Sequence, residues 1–123
     1  MMTARALREL ALGLPEAEER ETWGHPTFRV RDKIFASLYE GDDGAVATVK
    51  ASPEDQAVLL GTDPATFGVA SHVGRHGWTT VRLSRVDPQE MRELVVEAWR
   101  RTASKRAVSA FDAAADRPAT WWP

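Results

Sequence analysis

The chain opens with a helical pattern. Leu7, Leu10, Ala11 and Leu14 recur at i, i+3, i+4 and i+7, the spacing of one apolar stripe on a helix. Thr3 stands where an N-cap belongs, and Pro15 marks the stop. A short acidic stretch follows. In residues 24–36, GHPTFRVRDKIFA, the period changes from helical to two. Phe28 and Val30 alternate with Arg29 and Arg31, as in a strand buried on one face. Past Asp32, Ile34, Ala36 and Leu38 alternate with Phe35, Ser37 and Tyr39. A three-residue connection at Arg31-Asp32-Lys33 pairs Val30 with Ile34 and Phe28 with Ala36, which puts all the core-like residues on one face. A two-residue loop pairs Phe28 with Phe35 and Arg29 with Ile34, mixing the faces. The three-residue register is therefore the expected one.

EGDDG at 40–44 predicts a second turn, returning the chain into AVATVKA. Ser52 as N-cap, Pro53 at the first helical position and acids in the first turn predict a second helix, which Asp63-Pro64 ends. GRHGW at 74–78 is loop chemistry, and WTTVRL reads as a strand. DPQE at 87–90 combines a cap, an N1 proline and a glutamate at N3. It launches a long helix striped by Met91, Leu94, Val95, Ala98 and Thr102, with Trp99 beside the stripe. The order is helix, three strands, helix, one or two strands, helix, then a C-terminal extension. Short turns between strands predict an α+β fold of two layers, an antiparallel sheet with its helices on one face.

Length and charge narrow the class. The 123 residues, 43% hydrophobic, fit one domain with one core. There is no cysteine, hence no disulfide framework and no thiolate chemistry. Charges at Arg5, Arg8 and Glu9 interrupt any signal-peptide core, and no run approaches a membrane span. A cytoplasmic protein is the expectation. The net charge of −2 is not that of a strongly basic nucleic-acid protein, but it conceals segregation. Residues 36–63 carry a local −5, residues 71–85 a local +3 and residues 98–107 a local +4.

Candidate chemistry is sparse. His72 and His76 have the four-residue spacing of a helical zinc pair, yet Gly74 and Gly77 oppose a helix there. Ser71 and Ser84 lack an activating base and an orienting third group. Asp42-Asp43 lies in a turn and Glu18-Glu19 in a polar segment. No phosphate loop, nucleophile elbow or dinucleotide fingerprint occurs. The expectation is no catalytic residue, no metal, no cofactor and no enzyme. Trp23 and Trp78 flank loops beside basic or histidine residues, where an aromatic ring can stack a ligand or nucleobase.

Pro26-Thr27-Phe28-Arg29-Val30, Lys33-Ile34-Phe35-Ala36, Val49-Lys50, Gly74 to Trp78 and the long third helix together resemble the MmcQ/YjbR family of small bacterial proteins. The resemblance runs over roughly residues 4–103. Where that family usually has glycine in the hairpin, this chain has Asp32. The resemblance implies a two-layer fold similar to type III secretion chaperones and a DNA-binding role through a double wing of hairpins. It brings no catalytic residue. The expected contacts to DNA or another ligand are Arg29, Arg31, Lys33, Lys50, Arg75, His76, Trp78 and Arg82, with DNA binding weak and salt-dependent. Two alternatives stand beside it. One is a protein-interaction or chaperone-like adaptor, acting with a protein partner or as a homodimer and using the sheet face and Trp121-Trp122. The other is a small-molecule binder using Trp23, His25, His72, His76 and Trp78. Residues 1–103 form the expected domain. Residues 104–123 form an extension packed on the domain or on a dimer mate, with 107–122 expected on the open sheet face beside an apolar patch of Phe35 and Tyr39.

Overall fold

The structure is a computed structural model. It describes residues 2–42, 44–71 and 74–115. Helix α1 spans Ala4–Leu12, with the Thr3 hydroxyl accepting from the Ala6 amide. Six strands follow: β1 Glu18–Thr22, β2 His25–Val30, β3 Lys33–Gly41, β4 Gly44–Val49, β5 Phe67–Val69 and β6 Thr79–Arg82. Helix α2, Pro53–Thr62, lies between β4 and β5. Helices α3, Pro88–Arg100, and α4, Lys105–Ala115, close the described chain. The strands form one antiparallel sheet in the order β1-β2-β3-β4-β6-β5. The fold is α+β, as the pattern of strands and helices implies.

The core lies between the sheet and helices α1 and α3. Leu7 and Ala11 of α1 and Met91, Val95, Ala98 and Trp99 of α3 are buried against Phe28, Val30, Leu38, Ala47, Val49 and Val81 of the sheet. At roughly 1.5–3 kcal/mol for each large apolar side chain, this layer is the main source of stability. Caps set the helix starts. The Ser52 hydroxyl accepts from the Asp55 amide, and the Asp87 carboxylate accepts from the amides of Gln89 and Glu90. Both helices have proline in the first turn, where no amide hydrogen is needed.

Two sequence expectations fail here for stated reasons. The acidic stretch before the first hairpin is a strand, β1, and four of its five residues are exposed. An edge strand needs one paired side only, and its charges keep the other side from joining another sheet. The hairpin register also differs. Val30 pairs with Lys33 and Arg29 with Ile34 across a two-residue turn, Arg31-Asp32, whose φ angles are +55° and +65°. Positive φ at both central residues defines the turn type that matches strand twist. A bulge between Phe28/Arg29 and Ala36/Ile34 then restores the expected Phe28–Ala36 pair. The extra residue turns Phe35 to the core, where it is fully buried, and leaves Ile34 on the open face. Phe35 therefore forms no surface patch with Tyr39.

The described part of the C-terminal extension is α4, and it packs on α3 rather than on the open sheet face. Phe111 meets Trp99 with ring centroids 5.1 Å apart, and Asp112 pairs with Arg100 at 2.6 Å. The Arg100 guanidinium carbon stands 5.7 Å from the Phe111 ring centre. Trp121 and Trp122 lie outside the described residues.

Candidate nucleic-acid interface

Strand alternation and register assign the open face of the sheet. One line of pairs crosses it: Arg20 with Thr27, Thr27 with Ser37, Ser37 with Thr48, and Thr48 with Thr80. Hydroxyls thus span four neighbouring strands. A second line holds Tyr39, Val46 and Arg82, with His25 edge-on to Tyr39 at 6.5 Å. Gly41 permits this placement of Tyr39. A Cβ there would stand 2.7 Å from Cε2 of the ring and lift it off the strand. Tyr39 is 59% exposed and Trp23, in the β1–β2 turn, 92%.

Arg29 lies along this face and is largely committed to it. Its Nη2 donates to Thr22 Oγ1 at 2.9 Å and its Nε to Thr27 Oγ1 at 3.4 Å. Only 19% of its side chain is exposed. Arg20, on β1, donates to Asp32 of the turn and to Glu18, so its charge is neutralised locally. Arg20 escaped notice in the sequence because EERET carries no apolar residue to reveal its period.

Most of the other expected contacts fall at the end of the sheet that carries the β2–β3 turn. Arg31 and Lys33 flank Asp32 and are exposed, and neither forms an ion pair with another described residue. Lys50 follows β4, with its amide donating to the Phe35 carbonyl at 3.1 Å. It borders a small apolar hollow of about 160 Å³ with Val58, Leu59 and Leu94. Arg75 and His76 sit in a 3-10 turn, where Arg75 Nε donates to His76 Nε2 at 3.3 Å. Trp78 is half-buried, its carbonyl accepting from the Gln56 side chain at 2.8 Å. Gly77 has φ +96° and lies so close to the backbone of Ala51 and Ser52 that no other residue fits. Arg82 stands at the far end of β6, away from this group. The expected residues thus divide between one sheet end and one sheet face. Acids accompany the end group: Glu16 and Glu18 share a shallow hollow with Arg31 and Asp32.

His72 lies outside the described residues, so the histidine pair has no described geometry. Among the described residues there is no cluster of three metal-ligating side chains. No helix among them is long and apolar enough to cross a membrane. The carboxyl of Asp63, at the end of α2, is held below its ordinary range. The Thr66 hydroxyl, donating at 2.6 Å, is the main cause, and the positive charge of Arg85 adds to it.

The described residues thus form an open antiparallel sheet with helices on one side and polar and cationic groups on the other face and at one end. The chain belongs to the YjbR family, whose model matches residues 12–101. Uncharacterised proteins of Mycobacterium bovis and Mycobacterium tuberculosis are 29% identical over 82 residues, 66% of this chain. The match spans 64% of the length of those relatives. A Deinococcus radiodurans protein with the domain called DUF419 superposes with a TM-score of 0.73 at 23% identity, over 80% of this chain and 77% of that one. A Pseudomonas syringae protein superposes at 0.69 and 21% identity, over 82% of this chain and 99% of its own. These two structures share the fold.

Proposed function

We propose that the protein is a non-enzymatic DNA-binding module that contacts duplex phosphates through the tip of its β2–β3 hairpin. The supporting observation is the turn itself. Arg31 and Asp32 both hold left-handed backbone angles, a conformation that costs an ordinary L-residue about 1–2 kcal/mol and that Asn-Gly would adopt freely. Strain kept at an exposed tip points to selection for the side chain rather than for the turn. The side chain kept is an arginine, with Lys33 beside it. Lys50 and Arg75 lie at the same sheet end and extend the contact, with His76 and Trp78 beside them. Arg29 acts by bracing β2, and Arg82 serves the other end of the open face. A net charge of −2 and the nearby Glu16 and Glu18 keep such binding weak, independent of sequence and steeply reduced by salt.

Fluorescence anisotropy of a labelled duplex at low salt tests this. Arg31→Gly and Lys33→Gln should each lower the log–log salt slope by roughly 0.9, one phosphate contact apiece. Absence of binding at about 100 μM, the weak end of non-specific affinities, would remove the DNA reading.

A further inference from the structure

We infer that the open sheet face is a second, distinct surface that takes a single-stranded nucleic acid, with bases stacking on Tyr39 and Trp23 and phosphates held by Arg82. This goes beyond the duplex reading, because its stacking residues, Tyr39 and Trp23, take no part there and it needs unpaired bases. Four observations carry it. The first is flat aromatic surface on rigid elements: Tyr39 lies on β3, an interior strand, and is 59% exposed. The second is its support. His25 meets the ring edge-on at 6.5 Å, and the bare Gly41 lets it rest against the strand, so the ring is held in place before any ligand arrives.

The third is Trp23. Its side chain is 92% exposed at φ +50°, in a turn whose other central residue, Gly24, is the usual choice for such angles. A large indole in water at a strained position stabilises nothing in the domain. The fourth is charge and hydrogen bonding. Arg82 is exposed and forms no ion pair with another described residue; Glu18 and Asp32, toward the β2–β3 turn, are paired with Arg20, and the exposed Glu40 and Asp42 lie at the β3–β4 turn beyond Tyr39. Between Arg29 and Arg82 the face presents Ser37, Thr48 and Thr80, hydroxyls that both donate and accept; Thr27, on the same line, is buried and its hydroxyl is already bonded to the Arg20 carbonyl. Stacking rings, a flanking arginine and neutral hydrogen-bonding groups are what single strands require. A duplex hides its base faces and gains nothing from Tyr39 or Trp23.

The test uses the full chain and a fluorescein-labelled twelve-residue oligothymidine, with the same label on a duplex of equal length. The expected result is binding of the single strand that Tyr39→Ala and Trp23→Ala each weaken by about 5- to 150-fold, the range for one stacked base. Tyr39→Phe should restore binding, since the ring and not the hydroxyl stacks. Arg82→Gln should lower the salt slope by about 0.7, the value for one contact on a single strand. Arg31→Gly should leave single-strand binding unchanged. Single-strand binding that is insensitive to Tyr39→Ala and Trp23→Ala overturns the inference. So does a protein that binds duplex through Arg31 but not the single strand, an outcome that leaves the duplex reading intact. Loss of duplex binding alone removes only that reading.

Discussion

Replacing Phe35 and Tyr39 separately by alanine tests the bulge that sets this sheet's two faces. In an unbroken strand the two residues would share a face and lose similar amounts. In the observed strand Phe35 is fully buried, whereas Tyr39 keeps 59% of its surface exposed. Emptying the Phe35 site removes a whole ring from a packed core between β3 and the helices, and such changes cost about 3–5 kcal/mol. For Tyr39, an aromatic buries about 200 Å² when wholly enclosed, and at about 25 cal/mol per Å² that is worth ~5 kcal/mol. The two-fifths or so of that surface that is covered here sets an upper bound near 2 kcal/mol, and a compact unfolded chain lowers it further. Urea unfolding followed by circular dichroism measures both, with the comparison valid if the slope m is unchanged. Phe35→Ala should lower the midpoint at least twice as far as Tyr39→Ala. Equal losses, or a larger loss at Tyr39, would refute the bulge and restore the regular register.

Two further predictions follow from the turns and caps. Arg31→Gly removes a left-handed arginine worth about 1–2 kcal/mol of strain, less the roughly 0.5–1 kcal/mol that glycine's freer unfolded chain costs. Its melting temperature should therefore hold or rise by a few degrees while duplex binding falls; a lower melting temperature would mean the turn is not strained. Asp63 has a lowered pKa, so its contribution to stability is present above the ordinary carboxylate range and is lost as pH falls through it. The stability difference between the natural protein and Asp63→Asn should accordingly shrink below about pH 4, the carboxylate range, and a difference that stays constant there would show that the Thr66 hydroxyl does not favour the charged carboxylate.

Helices and most strands were legible because their signals are local. Thr3, Ser52 and Asp87 cap as their types and positions imply, and the alternation through Phe28 and Val30 marks β2. Strand β1 was illegible because an edge strand carries no apolar period. The bulge was illegible for a different reason. IFASL has apolar residues at nearly every position, so the choice between Ile34 and Phe35 for the core rests on a turn type that Arg-Asp does not advertise. Of the candidate site, the hairpin cations were legible as composition. Their division between one sheet end and one face was not, because it depends on which strands neighbour one another. Tyr39's place on the open face was expected from alternation, but its rigid seat on Gly41 is a matter of side-chain packing across a turn.

The contact of Phe111 with Trp99 bears on where this domain ends. The stretch shared with the family stops at residue 101, and Trp99 lies inside it while Phe111 lies beyond. Trp99 is the largest fully buried side chain among the described residues, and its indole N–H donates to the Pro15 carbonyl at 3.0 Å. The ring thus joins the beginning of the family stretch to its end, and α4 covers it from outside. A border drawn by likeness of sequence therefore cuts through a unit of packing. A chain shortened to that border would expose part of an indole that the longer chain conceals, and would invite self-association there. In this protein the shared stretch and the folding unit have different edges, and substitutions on α4 answer to Trp99 although no relative need carry them.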